Sequence, residues 1–214
     1  MSVTVLVTGF GPFPGAPFNP TEALVHRLAR LRRPTLADVK IAAHVFPTSY
    51  AAVDRDLPAL IAKHKPIALL MFGLAPRART LRIETRARNA VKSLPDVTGH
   101  VPLRSAIAPG DQSTLAIPAP VTTLFAAARA TRIPVVRSRD AGTYLCNYLC
   151  WRISETAVNS KLPRLATFVH VPPVPRAARP RKATNKTARK RPTFDELTRT
   201  AGSLLMALVA AARR

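Results

Sequence analysis

The sequence predicts an α/β protein, a three-layer αβα sandwich with a mostly parallel central sheet. Strand-like apolar runs alternate along the chain with amphipathic helical patterns, which is the order of parallel βαβ units. The runs at residues 3–7 and 67–72 are apolar almost throughout, as expected of strands that are buried on both faces. The length of 214 residues is ample for a continuous core, so we expect a single domain over residues 1–214.

The N-terminal half begins with a strand and a well-marked helix. The strand at residues 3–7 runs into a glycine-containing turn at residues 9–13. Asn19 and Pro20 are typical of an N-cap and a first helical position, so a helix is predicted from there to about Pro34. The next predicted elements are a strand at 40–46, a helix at 49–65 that Pro58 could kink or split, a strand at 67–72, and a strand at 81–87 with one charged, exposed face.

The C-terminal half continues the same alternation. Residues 94–117 are rich in Pro, Gly and Ser and are predicted to form loops with short extended pieces. The elements that follow are a helix at 120–131, a strand at 134–137, a helix that contains Cys146, a strand at 165–169 and a last helix that opens with a capping box from Thr193 to Glu196. Asp140, Gly142 and Thr143 can supply the turn and the N-cap of the Cys146 helix.

Cys146 and His170 are the candidate reactive residues. Cys146 falls near the first turn of its predicted helix, where the positive end of the helix dipole favours the thiolate. His170 stands at the carboxyl end of a predicted strand. A thiol and an imidazole of this kind can form a cysteine nucleophile–base pair. The alternative interpretation is a small buried cysteine and a structural histidine, because free cysteine is most often a core residue.

Topology gives a second reason to group these segments. In open α/β sheets, ligands bind outside the carboxyl ends of the strands. Residues 9–13, 73–79, 138–143 and 170–173 each follow the end of a predicted strand. We therefore expect these four segments to meet at one site.

The formal net charge of +22, from 33 Lys and Arg against 11 Asp and Glu, would attract nucleic acid or anionic surfaces nonspecifically. The stretch from Arg176 to Arg191 contains eight basic residues and no acidic one, and a flexible loop is predicted at about 176–192. It has no interleaved aromatic residues that could stack on bases. The positive charge nevertheless makes a basic nucleic-acid-associated protein, with an idle site on the same fold, the alternative function.

The two cysteines, Cys146 and Cys150, are too few for a secreted disulfide framework, so a reducing cytoplasm is expected. Zinc-ligand spacing is absent, so no metal is expected, and Cys150 is predicted to be a core residue. No apolar run approaches the about 18 residues that would span a bilayer. No basic segment and cleavage site precede the first strand, so neither a membrane partner nor a secretory signal is expected.

Four segments match, in the same order, the motifs of one family of cysteine peptidases. Residues 5–13, with the Asn-Pro-Thr-Glu run at 19–22, form the first motif, and residues within 73–89 form the second. The Ala-Gly-Thr-Tyr-Leu-Cys-Asn run at 141–147 is the third, and Phe-Val-His-Val-Pro at 168–172 is the fourth. On these motifs the chain resembles a divergent member of the pyroglutamyl peptidase I family, also called pyrrolidone-carboxylate peptidase.

The resemblance implies a phosphorylase/hydrolase-like fold and a cysteine exopeptidase that removes an N-terminal pyroglutamyl residue from a peptide or small amide through a thioester, without metal or cofactor. It makes Cys146 the nucleophile, His170 its general base and then acid, and Glu84 the carboxylate that orients the imidazole. The lactam would be gripped by aromatic rings. The substrate-binding residues that the resemblance implies are Phe10, Phe13, Asn19, Gly73 and Leu74. It also allows for a homo-oligomer, a tetramer as in the family.

Several positions depart from the family pattern. Leu74 stands where Gln is common, and Pro-Arg-Ala at 76–78 replaces Gly-Gly-Arg. Ser93 stands where an Arg is common, and Tyr148 where His is frequent. Loss of a polar group that binds a substrate edge can change selectivity by orders of magnitude. An amidohydrolase of altered small-acyl specificity is therefore a third interpretation.

Overall fold

The structure, a computed structural model, describes residues 3–160, 162–175 and 191–214. In this part of the chain the strands are β1 (Val3–Phe10), β2 (Val39–Phe46), β3 (Ala68–Leu74), β4 (Leu81–Glu84), β5 (Arg86–Arg88), β6 (Thr114–Ala116), β7 (Val135–Ser138) and β8 (Leu165–Val171). The α-helices are α1 (Pro20–Ala29), α2 (Tyr50–His64), α3 (Val121–Arg129), α4 (Leu145–Asn159) and α5 (Phe194–Ala212).

Six strands form one sheet in the order β2-β1-β3-β8-β4-β7. The first four of these run parallel to one another. β4 is antiparallel to β8 and parallel to β7, so the last two strands run against the others. The prediction of a mostly parallel sheet is therefore confirmed. β5 and β6 pair separately as an antiparallel ribbon.

Helices cover both faces of the sheet, as the three-layer prediction requires. The alternation of side chains along each strand divides the core in two. Leu70 and Phe72 of β3 pack with α1, α3 and α5 on one face. Leu69 and Met71 pack with α2, α4 and the β5–β6 ribbon on the other. The strands between these layers are buried on both faces, which explains their nearly continuous apolar sequences.

Two predicted elements differ in the structure. Pro58 does not split its helix, because α2 is continuous from Tyr50 to His64. Pro58 lies on the exposed side, where water can bind the carbonyl group that its missing N–H leaves free. The strand predicted at 81–87 divides at Thr85, whose N–H donates to Ser138 O at 2.8 Å before β5 turns to pair with β6.

The C-terminal helix begins as its sequence predicts. The Thr193 hydroxyl accepts the N–H of Glu196 at 3.2 Å, and the Glu196 carboxylate accepts the N–H of Thr193 at 2.8 Å. The basic loop predicted at 176–192 lies outside the described residues, except for its last two residues. Within the described ranges, no helix has the length and apolar character that crossing a bilayer requires.

Candidate active site

The carboxyl ends of three parallel strands meet at one cavity. Phe10 ends β1, Leu74 ends β3, and His170 lies one residue before the end of β8. All three line a cavity of about 340 Å³, and the start of α4 contributes Cys146 to its wall. A larger depression of about 610 Å³ lies between α1 and β2 and contains none of the predicted site residues. The smaller cavity is therefore the candidate active site.

The segment between β7 and α4 reaches this cavity by a route that we did not expect. Because β7 runs against β8, its carboxyl end does not point to the shared edge. The chain turns back after Ser138, and residues 140–143 line the cavity. Gly142 has a φ of 87°, which favours glycine, and its N–H donates to Asp140 Oδ1 at 2.9 Å.

The helix that carries Cys146 begins without a side-chain cap. Its N-cap position is Tyr144, and not Asp140 or Thr143 as the sequence predicted. The Asp140 carboxylate is instead engaged in the turn itself and in an ion pair with Arg88, 3.1 Å away. Cys146 is the second residue of α4, so it lies in the first turn as predicted, and its side chain is partly exposed.

His170 and Glu84 form a buried pair beside the thiol. His170 Nδ1 lies 2.8 Å from Glu84 Oε1. The prediction that Glu84 lies on an exposed charged face is wrong, because the residue is 0 % exposed. β4 is an interior strand between β8 and β7, and three of its four residues, Glu84 among them, are buried. A carboxylate buried in this way needs a partner, and the imidazole is that partner.

The protonation of His170 is set by opposing influences. Burial alone would lower its pKa, but the adjacent Cys146 side chain, which is hydrogen-bonded to the ring, and the Glu84 carboxylate together raise the pKa to about 9. Since Nδ1 faces Glu84, the other ring nitrogen, Nε2, is left for the thiol. The site can therefore hold an imidazolium at neutral pH, next to Cys146 and Glu84.

Gly73 does not line the cavity, but it lies next to the Cys146 thiol and leaves room for it. A Cβ at this position would lie 2.7 Å from Cys146 Sγ and 2.6 Å from Phe168 Cζ. Real Cβ atoms are not found at such distances. The absence of a side chain at Gly73 therefore leaves the room that the thiol occupies.

Replacement of Gly73 with alanine is expected to destabilise the fold by about 1–3 kcal/mol, because overpacking displaces the neighbouring ring. It is also expected to lower activity, because Sγ must move. Thermal unfolding and kcat/KM measure the two effects. Gly11→Ala is the matched control, since a Cβ there meets no atom closer than 3.8 Å. Wild-type stability and activity in Gly73→Ala would contradict the packing argument.

The remaining predicted substrate-binding residues line the cavity. They are Phe10, Phe13, Asn19 and Leu74. The polar atoms of Asn19 are engaged within the protein, because Nδ2 donates to Gly11 O at 3.0 Å and Oδ1 accepts the N–H of Thr21 at 3.1 Å. Asn19 therefore shapes the first glycine loop, while the two rings and Leu74 make an apolar wall.

The departures from the family pattern fall in different places. Leu74 and Pro76 line the cavity, whereas Ser93 is exposed on a loop. Tyr148 lies between α2 and α4, where its hydroxyl donates to Asp54 Oδ2 at 2.8 Å. Of these departures, only Leu74 and Pro76 therefore alter the cavity wall directly.

Arg82 is a cavity residue that the sequence did not reveal. Its side chain lines the cavity, and its Nε lies 3.5 Å from Glu84 Oε1. The available signal was position, since residues two apart on a strand share a face. No group of three or more His, Cys, Asp or Glu that could hold a metal is found in the described part of the chain.

Both the sequence and the fold are similar to those of known proteins. The sequence model of the family described as pyroglutamyl peptidase matches residues 3–213. The pyrrolidone-carboxylate peptidase of Pyrococcus furiosus is 30% identical over 172 residues, which cover 80% of this chain and 81% of that protein. The enzyme of the same name from Clavibacter michiganensis is 33% identical over 170 residues, 79% of this chain and 78% of that protein. The solved pyrrolidone carboxyl peptidase of Thermococcus litoralis superimposes with a TM-score of 0.85 at 25% identity, covering 99% of this chain and 95% of that one.

Proposed function

The chain belongs to the pyroglutamyl peptidase family, and we propose that Cys146, His170 and Glu84 carry out its reaction. It is a cysteine-type peptidase that removes an N-terminal pyroglutamyl residue from peptides. The observation that carries the residue assignment is the 2.8 Å contact between His170 Nδ1 and Glu84 Oε1, with the Cys146 side chain adjacent to the same imidazole at the cavity wall. In this assignment Glu84 orients the imidazole, His170 is the base and Cys146 is the nucleophile.

In the first half of the reaction the thiolate of Cys146 attacks the pyroglutamyl carbonyl carbon. The C–N bond then breaks, the leaving amine takes the proton from Nε2 of His170, and a thioester remains on Sγ. Because the pKa of His170 is about 9, the imidazolium that must donate this proton is the major form at neutral pH.

In the second half His170 acts as the base. Acylation removes the thiolate charge that helped to raise the pKa of His170, while the burial that lowers it remains. The neutral imidazole can then take a proton from water, and the resulting hydroxide attacks the thioester. The C–S bond breaks, pyroglutamate leaves, and the thiolate is restored.

The tetrahedral intermediate requires donors for its oxyanion. The first N–H groups of an α-helix have no intrahelical acceptor, and Cys146 is the second residue of α4. Its N–H can therefore donate to an oxygen that develops next to Sγ. Such preorganised donors are often worth about 10²–10³ in rate.

The pyroglutamyl ring is expected to occupy the apolar wall of the cavity. Phe10 and Phe13 offer flat rings that suit a small uncharged lactam. The cavity is of the size that binds small molecules. The ring of a prolyl substrate is a charged secondary amine. It would have to lose its hydration in this cavity without an equal gain, so prolyl substrates should bind poorly.

The substrate assignment is tested with two fluorogenic amides that differ only in the ring. We expect hydrolysis of pyroglutamyl-aminomethylcoumarin with a kcat/KM about 10²-fold or more above that of prolyl-aminomethylcoumarin, because the prolyl ring carries a buried charge. Equal turnover of the two amides would overturn pyroglutamyl selectivity and favour an amidohydrolase of broader acyl specificity.

We also propose that the protein acts in a reducing compartment such as the cytoplasm. Cys146 must remain a free thiol for the chemistry, and both cysteines are free. A homo-oligomer, and contact of residues 176–191 with nucleic acid, stay predictions. The comparisons favour the peptidase over the nucleic-acid-associated alternative.

A further inference from the structure

Three arginines of β4 and β5 reach the same segment of chain beside the cavity. Arg82 Nη2 donates to Asp140 O at 2.9 Å, and Arg86 Nε donates to Arg139 O at 2.9 Å. Arg88 Nη2 donates to Gly142 O at 3.4 Å. We call these three arginines the basic rim. The acceptors of these three bonds are backbone carbonyls, which uncharged donors could satisfy equally well.

The positive charge of the basic rim is only partly neutralised. Asp140 pairs with Arg88, with Nη2 and Oδ1 3.1 Å apart. Glu84 lies 3.5 Å from Arg82 but is also shared with His170, which carries its own positive charge below a pH of about 9. The rim therefore retains more cations than anions next to a cavity wall, a field that favours an anionic ligand.

The chemistry of the reaction decides which part of a peptide lies near Arg82. His170 must protonate the leaving amine, so the residue that follows pyroglutamate lies beside the imidazole. Arg82 Nε is 3.5 Å from the same Glu84 oxygen that lies 2.8 Å from His170 Nδ1. Arg82 is also the cross-strand partner of His170 in the β4–β8 pair and lines the same cavity, so its side chain stands beside the imidazole that the leaving group must approach.

Arg82 also has a donor to offer. Its contacts with Glu84, Ser138 and the carbonyl of Asp140 use Nε and Nη2. Among the described residues Nη1 has no partner, and the side chain is 36% exposed. A guanidinium that is held in place by some of its N–H groups, with others available, is suited to a carboxylate.

We propose that Arg82, aided by Arg86 and Arg88, recognises a carboxylate on the residue that follows pyroglutamate. The substrate class is peptides that begin with pyroglutamyl-glutamate or pyroglutamyl-aspartate. This inference rests on the proposed function, because it takes the position of the leaving group from the role of His170.

The test compares hydrolysis of three peptides that begin with pyroglutamyl-glutamate, pyroglutamyl-glutamine and pyroglutamyl-lysine and are otherwise identical. We expect kcat/KM for the glutamate peptide to exceed that for the glutamine peptide by about fivefold, with the lysine peptide lowest. The ratio should fall as salt is added, because screening weakens exposed charge pairs. Arg82→Gln should bring the ratio to about one, whereas Arg82→Lys should retain part of it, since lysine keeps the charge.

The ratio of kcat/KM for the glutamate peptide to that for the glutamine peptide separates recognition from general damage to the site, because both peptides need the same catalytic groups. Arg132→Gln is the matched control: Arg132 is exposed and does not line the cavity, and its loss lowers the net charge equally. An unchanged ratio in Arg82→Gln, or an equal loss in Arg132→Gln, would overturn the inference. Equal turnover of the three peptides by the wild type would overturn it while leaving the peptidase assignment intact. No turnover of any would overturn the peptidase assignment and the inference with it.

Discussion

Cys146→Ala is expected to lower kcat/KM for pyroglutamyl-aminomethylcoumarin by about 10⁴-fold or more, because no other group of the cavity can form the thioester. Cys150 cannot substitute for it, although it lies one turn away on α4. Cys150 is fully buried, and burial, together with the nearby Cys146 and Glu84, raises the pKa of its thiol well above the ordinary value. A stopped or continuous fluorescence assay measures the effect.

Cys150→Ala is the matched control for this experiment. It removes the same sulfur atom from the same helix, outside the cavity, and is expected to change kcat/KM by no more than a few-fold. Unfolding curves of both variants show whether each is folded. Activity that survives in folded Cys146→Ala, or that disappears in Cys150→Ala alone, would contradict the assignment of the nucleophile.

Glu84→Gln is expected to lower kcat by about 10²–10⁴-fold, since loss of an orienting carboxylate leaves the imidazole in the wrong tautomer or unsupported. The pH profile should change as well. Proton donation to the leaving amine requires the imidazolium, so activity falls as the pH rises through the pKa of His170, which is about 9. Removing the carboxylate removes one influence that raises this pKa, so the alkaline limb should move to lower pH.

The matched control for Glu84→Gln is Glu155→Gln. Glu155 accepts from Trp151 Nε1 at 2.6 Å and pairs with Arg152 on α4, outside the cavity. This variant makes the same chemical change and is expected to leave both kcat and the alkaline limb in place. Wild-type kcat and an unshifted profile in Glu84→Gln would remove Glu84 from the mechanism.

The sequence by itself determined the features that depend on local physics. Apolar runs and helical periodicity predicted most of the elements of the sandwich, because strand and helix burial repeat at fixed spacings. The N-cap at Asn19 and the capping box at Thr193 were visible because each joins residues two or three apart. Motif order predicted that Cys146, His170 and Glu84 belong together.

Only the tertiary structure decided the surroundings of those residues. A two-residue alternation shows which side chains share a face of β4 but not what covers that face, so the sequence predicts an exposed charged face, whereas Glu84 is buried. The reversed direction of β7, and the turn that brings residues 140–143 back to the cavity, depend on pairings between distant segments. The approach of Arg82 to that turn, and the space that Gly73 leaves for the thiol, likewise join residues far apart in the chain. The sequence thus predicted which groups react, whereas burial and long-range packing set their surroundings, their spacing and the charge of the rim around them.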